Sequence, residues 1–341
     1  SVRFTSVRSG VRAPVCPPVV LTVPASPALP VDPATSPSSL STPRVFVGTQ
    51  GFGYDGWNGL VYPSGLRPGD RLATYAQWFP IVELDRTFYG LPRHSEVARW
   101  VATTPDSFRF TAKVPRVATH DLRLEGRDAL VQVEGLVSAL APLGDRLAAI
   151  LFQMGPGFRF PRDDAALRAT IDALPSLVAP STRVAVEFRH PSWLDAPDLD
   201  ARFADANAAW VWNDWSPGEN PWSPMPRAID DSRAFRQTAD FAYVRLTGDH
   251  DLDINFREVI IDRGADLRKW AALIRQWQES QARQGRGGDA FVFLNNHYSG
   301  SSPRSVSTLR EALGMTPITF AVEASTPVPV APPGAMRLPG F

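Results

Sequence analysis

A carboxylate and a guanidinium stand two positions apart in the stretch VAVEFRHPSW, at Glu187 and Arg189. Side chains alternate between the two faces of a β-strand, so residues two apart lie side by side on one face. An acid beside a base at the end of an apolar strand can form a salt bridge that only stabilises the protein. It can also bind an anionic substrate and transfer a proton. The ends of the other strands bear on this choice.

Six further apolar segments end in polar or aromatic residues of the same kind. These residues are Glu83 with Asp85, Thr111 with Lys113, Gln153, Trp212 with Asp214, Tyr243 with Arg245, and Phe293 with Asn295. Burying such ions costs several kcal/mol each unless they pair or meet a ligand, roughly the effective penalty known for buried charges. A shared pocket explains the set better than separate helix caps and salt bridges do.

The elements that would position these residues are short segments rich in Val, Ile, Phe and Ala, most of them followed by helical spacing. The predicted strands are residues 44–50, 81–85, 108–114, 147–154, 183–189, 209–214, 241–248 and 290–296. The predicted helices are residues 71–79, 95–103, 127–140, 163–173, 197–206, 267–283 and 303–313. After residues 209–214 the sequence is rich in Trp and Pro and predicts a loop.

Eight such units predict an α/β protein with a single closed (β/α)₈ TIM barrel, whose active site lies at the C-terminal ends of the strands. An open, doubly wound sheet is the alternative. The Gly-rich stretch GTQGFGYDG does not open a helix, so it matches neither a Walker loop nor a dinucleotide-binding loop. We therefore favour the barrel.

The composition sets the domain limits and the class of protein. The segments 1–43 and 323–341 are rich in Pro and Ser or Pro alone and predict disordered tails around a barrel domain at 44–322. The chain has one Cys and 35 basic against 35 acidic residues, and it lacks an apolar run long enough to span a bilayer. We expect a cytoplasmic protein with no membrane partner. The oligomeric state is left open.

Four histidines, His120, His190, His250 and His297, each follow a predicted strand closely. None stands in a spacing typical of metal ligands, so no cofactor is predicted. A divalent metal held by histidines together with Glu187 and Asp214 is the alternative.

Aromatic residues crowd the predicted loops, and Trp57, Tyr89 and Trp193 are the ones we select as candidate substrate contacts. An aromatic ring can stack on a sugar or a base, and it can equally pack as part of a lid. The sequence leaves these two interpretations open.

Several motifs together resemble the "domain of unknown function 72" family, also called YecE-like. They are GTQGFGYDGWNGLVYP, VELDRTFYGLP, FRFTAKVPRVATH, LFQMGPGF, VEFRHPSW, YVRLTGD and FLNNHYSG, between Val45 and Leu313. The resemblance implies a TIM barrel. It also implies recurrent polar residues at Glu83, Lys113, His120, Gln153, Glu187, Arg189, Arg245, Asn295 and Asn296.

Three positions depart from the family pattern. Gln50 replaces a common Ser, Gly155 replaces a Pro, and Thr247 replaces a His. The last change removes a candidate acid/base group, which His250 could supply instead.

These residues predict an enzyme with hydrolase or lyase/isomerase chemistry on a small anionic or sugar-phosphate-like substrate. Arg189, Arg245 and Lys113 would bind the anion. Glu187 and Glu83 would form the acid/base pair, with pKa values separated by their surroundings. The remaining candidates are His120 and Asp214 for catalysis, and Gln153, Asn295 and Asn296 for orienting the substrate.

Two other classes of function are open alternatives. A barrel resembling endonuclease IV could bind or process nucleic acid, although the neutral net charge offers no basic stripe. A barrel without catalysis could act as a ligand-binding or scaffold protein.

Overall fold

The computed structural model of the chain describes residues 43–215, 223–249 and 254–320. The tails predicted at 1–43 and 323–341 lie outside these residues, apart from Pro43. His250 also lies outside them, so its suggested role as a substitute acid/base group stays a prediction.

Parallel strands form one sheet that curls into a nearly closed barrel, which confirms the predicted fold. The strands are β1 Arg44–Gln50, β2 Ile81–Leu84, β3 Arg109–Lys113, β4 Leu147–Gln153, β5 Arg183–Glu187, β6 Ala208–Trp210, β7 Trp212–Asp214, β8 Ala242–Leu246 and β9 Asp289–Leu294. Their order is β6-β5-β4-β3-β2-β1-β9-β8-β7. Since β1 pairs with both β2 and β9, the first and last units are neighbours, as a barrel requires.

The prediction of eight strands was wrong in one place, because the described residues form nine. The predicted strand 209–214 is interrupted at Val211. Its first half pairs with β5 and its second half with β8. The Val211 N–H donates to the Val186 carbonyl oxygen at 3.0 Å, so the chain leaves β5 only after this residue. Hydrophobicity alone does not reveal such a change of partner.

Helices connect most of the strands, close to the predicted limits. They are α1 Arg71–Trp78, α2 His94–Thr103, α3 Gly126–Leu140, α4 Asp164–Leu177, α5 Leu199–Asp205, α6 Gly264–Arg283 and α7 Ser302–Ala312. The predicted packing of helix tryptophans against the barrel is confirmed, since Trp100, Trp270 and Trp277 are all buried. Between β7 and β8 the described residues contain only a short 3₁₀ turn, Ser232–Ala234.

A search of the described residues for membrane-spanning helices found none that is both long and apolar enough.

Strands β1 and β2 approach closely at Gly48. A Cβ atom on Gly48 would lie 2.1 Å from the Ile81 carbonyl oxygen, a backbone atom that cannot turn aside. We expect Gly48→Ala to lower the free energy of unfolding by about 1–3 kcal/mol, the usual cost of overpacking. Urea unfolding measures this loss. Gly53→Ala is the matched control, because a Cβ there meets no atom within 4 Å. Equal stability of the two variants would refute the close approach.

Candidate functional site at the barrel mouth

Arg245 of β8 lies at the centre of a buried polar cluster inside the barrel. Its Nε donates to Glu83 Oε2 at 3.0 Å, and its Nη2 donates to Glu83 Oε1 at 2.8 Å and to Gln50 Oε1 at 3.1 Å. Its Nη1 donates to Gln153 Oε1 at 3.3 Å and to Glu187 Oε2. All five N–H groups of the guanidinium therefore have acceptors. Arg245 has no donor left for a substrate, contrary to its predicted role as an anion ligand.

The two glutamates around Arg245 have pKa values shifted in opposite directions. Burial raises the pKa of Glu83 more than Arg245 lowers it, and the charge of Asp85 raises it further. Burial also acts to raise the pKa of Glu187, but Arg245 and Arg189 outweigh it and lower that pKa to about 2. Glu187 is therefore ionised at neutral pH, and Glu83 binds a proton more readily. The acid/base role that the sequence predicted for this pair stays a prediction.

Further hydrogen bonds fix both carboxylates. Glu83 accepts from the Tyr243 hydroxyl at 2.7 Å, and Glu187 accepts from Arg189 Nε at 3.1 Å and from Trp215 Nε1 at 3.3 Å. Both side chains are completely buried. They form an inner layer of the site, beneath the residues that reach solvent.

Arg189 and Lys113 lie above this layer, at the mouth. The Arg189 guanidinium packs on the Trp215 ring at 4.0 Å, and burial lowers its pKa to about 10, so it is charged. Its two terminal nitrogens make no hydrogen bond within the part of the chain that the structure describes. Lys113 Nζ lies 3.2 Å from Asp85 Oδ1 and 4.5 Å from the centre of the Phe88 ring. Burial lowers the pKa of Lys113, opposed by Asp85.

His120 joins the mouth from the turn Val117–Asp121 after β3. Its ring packs edge-on against Phe88 at 5.1 Å, and its Nδ1 lies 2.9 Å from Thr119 Oγ1. Burial lowers its pKa to about 4, helped by the positive charges of Arg189 and Lys113, so the ring is neutral at pH 7.

Gly155 makes room for this histidine. A Cβ atom on residue 155 would come within 2.9 Å of the His120 ring. With a proline at residue 155, the His120 ring would have to move.

The structure does not bring Asp214 to the site. Asn213 pairs in register with Arg245 and points inward with it, so Asp214 faces the surrounding helices. Its Oδ2 accepts from Trp270 Nε1 at 2.8 Å and from the Tyr298 hydroxyl at 3.3 Å. The prediction that Trp212 and Asp214 share one face of the strand is confirmed, but that face points outward and not into the barrel.

The two candidate amides after β9 have different environments. Asn295 Nδ2 donates to Gln50 Oε1 at 3.0 Å and so joins the cluster around Arg245. Asn296 Oδ1 instead accepts from Trp57 Nε1 at 3.1 Å and from the Ser302 N–H at 3.0 Å, where α7 begins. Asn296 therefore anchors a helix and does not face the mouth.

The selected aromatic residues do not line the cluster. Trp57 is fully buried among Tyr54, Tyr62 and Tyr75. Trp193 is also fully buried, stacked at 4.7 Å on Phe188. Tyr89 is 72% exposed and contacts Phe88, at the edge of the mouth. For the two tryptophans, packing is the interpretation that the geometry favours.

Four residues of the site were given no role from the sequence: Gln50, Asp85, Tyr243 and Trp215. The first three stand at or near strand ends, where the rule that selected the others also applies. Trp215 follows β7 directly but has no pattern that separates it from the other loop aromatics.

No group of three or more His, Cys, Asp or Glu side chains in the described ranges is placed to hold a metal ion.

Comparison with known proteins identifies the family. The sequence profile described as "Protein of unknown function DUF72" matches residues 46–330. The chain belongs to this family. The UPF0759 protein YunF of Bacillus subtilis (strain 168) is 26% identical over 286 residues, which cover 79% of this chain and 94% of YunF.

Solved structures of the DUF72 family share the fold. A DUF72 family protein (TM1631) from Thermotoga maritima has a TM-score of 0.61 and 27% identity, over 80% of this chain and 99% of its own. A second one (EF0366), from Enterococcus faecalis V583, has a TM-score of 0.60 and 18% identity, over 80% and 98% of the two chains. These likenesses establish family and barrel; the activity has to be argued from the site.

Removing Arg245 should destabilise this DUF72 barrel strongly. We expect Arg245→Met to lower the free energy of unfolding at pH 7 by about 3–5 kcal/mol, since Glu83 and Glu187 become buried charges without their partner. Without the cation the folded pKa of Glu187 rises above its unfolded value, and that of Glu83, already raised by burial, rises further, so the loss grows as pH rises and is smaller at pH 4.

Urea unfolding of the variant and the wild type at both pH values tests this. Arg127→Met is the control, because its ion pair with Glu134 lies at the surface, with the two side chains 65% and 39% exposed. A loss that is equal at pH 4 and pH 7 would show that the two carboxylates do not depend on Arg245.

His120 should make the protein sensitive to mild acid. Its folded pKa of about 4 lies below the ordinary value of 6.5, so only the unfolded chain takes up a proton between these pH values. The wild type therefore loses stability as the pH falls from 6.5 to 4, and His120→Gln should lose less. Urea unfolding across this range measures the difference. His94→Gln, on the exposed start of α2, should behave as the wild type does; identical curves for His120→Gln would contradict the burial of a neutral ring.

Proposed function

We propose that this DUF72 barrel is an enzyme that binds a small anionic substrate at the C-terminal mouth and transforms it by acid/base chemistry of the hydrolase or lyase/isomerase type. Arg189 carries the proposal. Its Nε is held by Glu187, while its two terminal nitrogens make no hydrogen bond to the described residues. A guanidinium fixed in this way can take the two oxygens of a phosphate or carboxylate group together.

The charges at the mouth favour an anion. Arg245, Arg189 and Lys113 supply three positive charges against the three carboxylates of Glu83, Glu187 and Asp85, but Glu83 and Glu187 lie beneath the mouth and both pair with Arg245. Above it, Arg189 and Lys113 supply two positive charges against the one negative charge of Asp85. Because the partly desolvated cations lie in a medium of low dielectric constant, an arriving anion gains more from them than it would in water.

Proton transfer belongs, in this proposal, to the groups that a substrate can touch. The Asp85 side chain is 26% exposed, and its Oδ1 forms an ion pair with Lys113 Nζ at 3.2 Å. His120 is neutral and half-buried, so it can accept a proton at Nε2 while Nδ1 stays with Thr119. Glu187 and Glu83 lie too deep to meet a substrate, and we assign them the positioning of Arg189 and Arg245.

The nucleic-acid alternative gains no support from the geometry. Binding of single strands combines a basic groove with aromatic side chains on which bases stack. Trp57 and Trp193 are packed inside the protein, and the cations of the mouth lie among carboxylates. We therefore retain one proposed function.

Replacing Arg189 should weaken anion binding strongly. We expect Arg189→Gln to weaken the binding of inorganic phosphate by about 10- to 100-fold, the value of hydrogen bonds to a charged group. Isothermal titration calorimetry with inorganic phosphate measures the affinity. Arg116→Gln is the matched control, because Arg116 is 55% exposed, lies near His120 and pairs with Asp121.

Unchanged phosphate affinity in Arg189→Gln would refute the anion site. Equal losses of affinity in Arg189→Gln and Arg116→Gln would show that phosphate is attracted by positive charge in general and not by a specific site. Phosphate binding that stays intact while every compound in a panel of sugar phosphates is left unconverted would favour the ligand-binding alternative.

A further inference from the structure

A cavity of about 500 Å³ lies beside the mouth and shares only Asp85 with the proposed anion site. It is enclosed by the loop after β1, the end of β2, and helices α1 and α2. Phe52, Leu72, Leu84 and Trp100 supply apolar side chains to its wall. Its size falls within the range of about 300–1,000 Å³ that is usual for ligand pockets. An apolar wall of this extent suits a flat hydrocarbon or aromatic group.

The charged residues around this cavity are already paired with each other. Arg86 Nη1 lies 2.7 Å from Glu96 Oε1, and Arg99 Nη2 lies 3.0 Å from Asp70 Oδ1. These ion pairs are partly exposed. Because these charges already have partners, the cavity is better suited to a neutral apolar group than to an ion.

Asp85 connects the cavity with the anion site. It lines the cavity, and its Oδ1 lies 3.2 Å from Lys113 Nζ. Tyr54 lines the cavity as well, and its hydroxyl donates to the Gln50 carbonyl oxygen at 2.6 Å. The cavity is thus separated from Lys113 by the single ion pair that Asp85 forms with it.

We propose that this cavity is the subsite for the apolar part of the substrate, and that the substrate is an aromatic or similarly flat apolar molecule with one anionic group. The anionic group binds Arg189 and Lys113, and the ring enters the cavity past Asp85. This assignment rests on the proposed function and narrows it from small anions to aryl anions. It adds the apolar contact area that a small anion alone lacks.

Two positions on the cavity wall allow it to be filled. Gly53 lines the cavity, has no positive φ, and a Cβ there meets no atom within 4 Å. Leucine can therefore replace it without backbone strain. Thr103, at the exposed end of α2, lines the cavity from another side and can be replaced by phenylalanine. Gly157 is the matched control, because it has the same open surroundings and does not line the cavity.

The test uses 1-anilinonaphthalene-8-sulfonate as an aryl anion, followed by its fluorescence, and inorganic phosphate, followed by calorimetry. We expect Gly53→Leu and Thr103→Phe each to weaken the aryl sulfonate about tenfold or more while phosphate affinity stays unchanged, and Gly157→Leu to change neither. Arg189→Gln should weaken both ligands. Near-ultraviolet circular dichroism checks that each variant keeps its tertiary packing. Two cavity-filling variants are used so that the test still stands if one of them fails to fold.

The possible outcomes separate the two proposals. Aryl sulfonate affinity that survives in a folded filling variant overturns the cavity assignment and leaves the anion site standing. Phosphate that fails to bind the wild type overturns the proposed function. If the filling variants weaken the aryl sulfonate and Arg189→Gln does not, the cavity binds apolar groups independently, and the single-substrate proposal is overturned.

Discussion

One guanidinium serves two carboxylates at the centre of this barrel, and most of the polar interior depends on it. Arg245 uses all five of its donors on Glu83, Glu187, Gln50 and Gln153, which come from four different strands. Buried ion clusters are seldom the most stable way to fill a core, since well-packed apolar side chains often stabilise a protein as much or more. What the cluster contributes is position: it fixes the height and direction of the residues above it.

The site therefore has two layers with different tasks. In the lower layer, Glu187 receives hydrogen bonds from Arg245, Arg189 and Trp215, so its charge is satisfied before a substrate arrives. In the upper layer, the same bond to Glu187 leaves Arg189 with its terminal nitrogens in a fixed direction. Groups held in advance need little reorganisation on binding, which is how polar sites gain strength in a partly dry environment. A hydrated, mobile arginine on a loop would lose this advantage.

The sequence predicted the barrel and most of its polar interior, because the strands of a barrel place the polar residues at their C-terminal ends in one region. Polar residues that follow an apolar run identified Glu83, Lys113, Gln153, Glu187 and Arg189, and the structure brings them together. The rule failed at Asp214, because alternation shows which residues share a face but not which face points inward. That choice depends on the pairing register with β8, a long-range property.

The roles of the aromatic residues could not be predicted in the same way, for another physical reason. Trp57 and Trp193 carry hydrogen-bond donors and large apolar surfaces, so a loop position suits them for stacking on a ligand and for filling a core alike. Only the neighbours decide, and those come from distant parts of the chain: Asn296 for Trp57 and Phe158 for Trp193. The cavity beside the mouth was equally invisible, since its wall combines two helices, a loop and a strand end.

The interruption at Val211 gives the barrel a seam of an unusual kind. Elsewhere adjacent strands are joined through hydrogen bonds, which can lengthen or break. Between β5 and β8 these hydrogen bonds are divided along one continuous segment, whose first half pairs with β5 and whose second half pairs with β8. Glu187 stands on one side of this seam and Arg245 on the other. The central ion pair therefore bridges the place where one strand changes its partner, and widening the barrel there would first break the pairing of β5 with β6 or of β7 with β8.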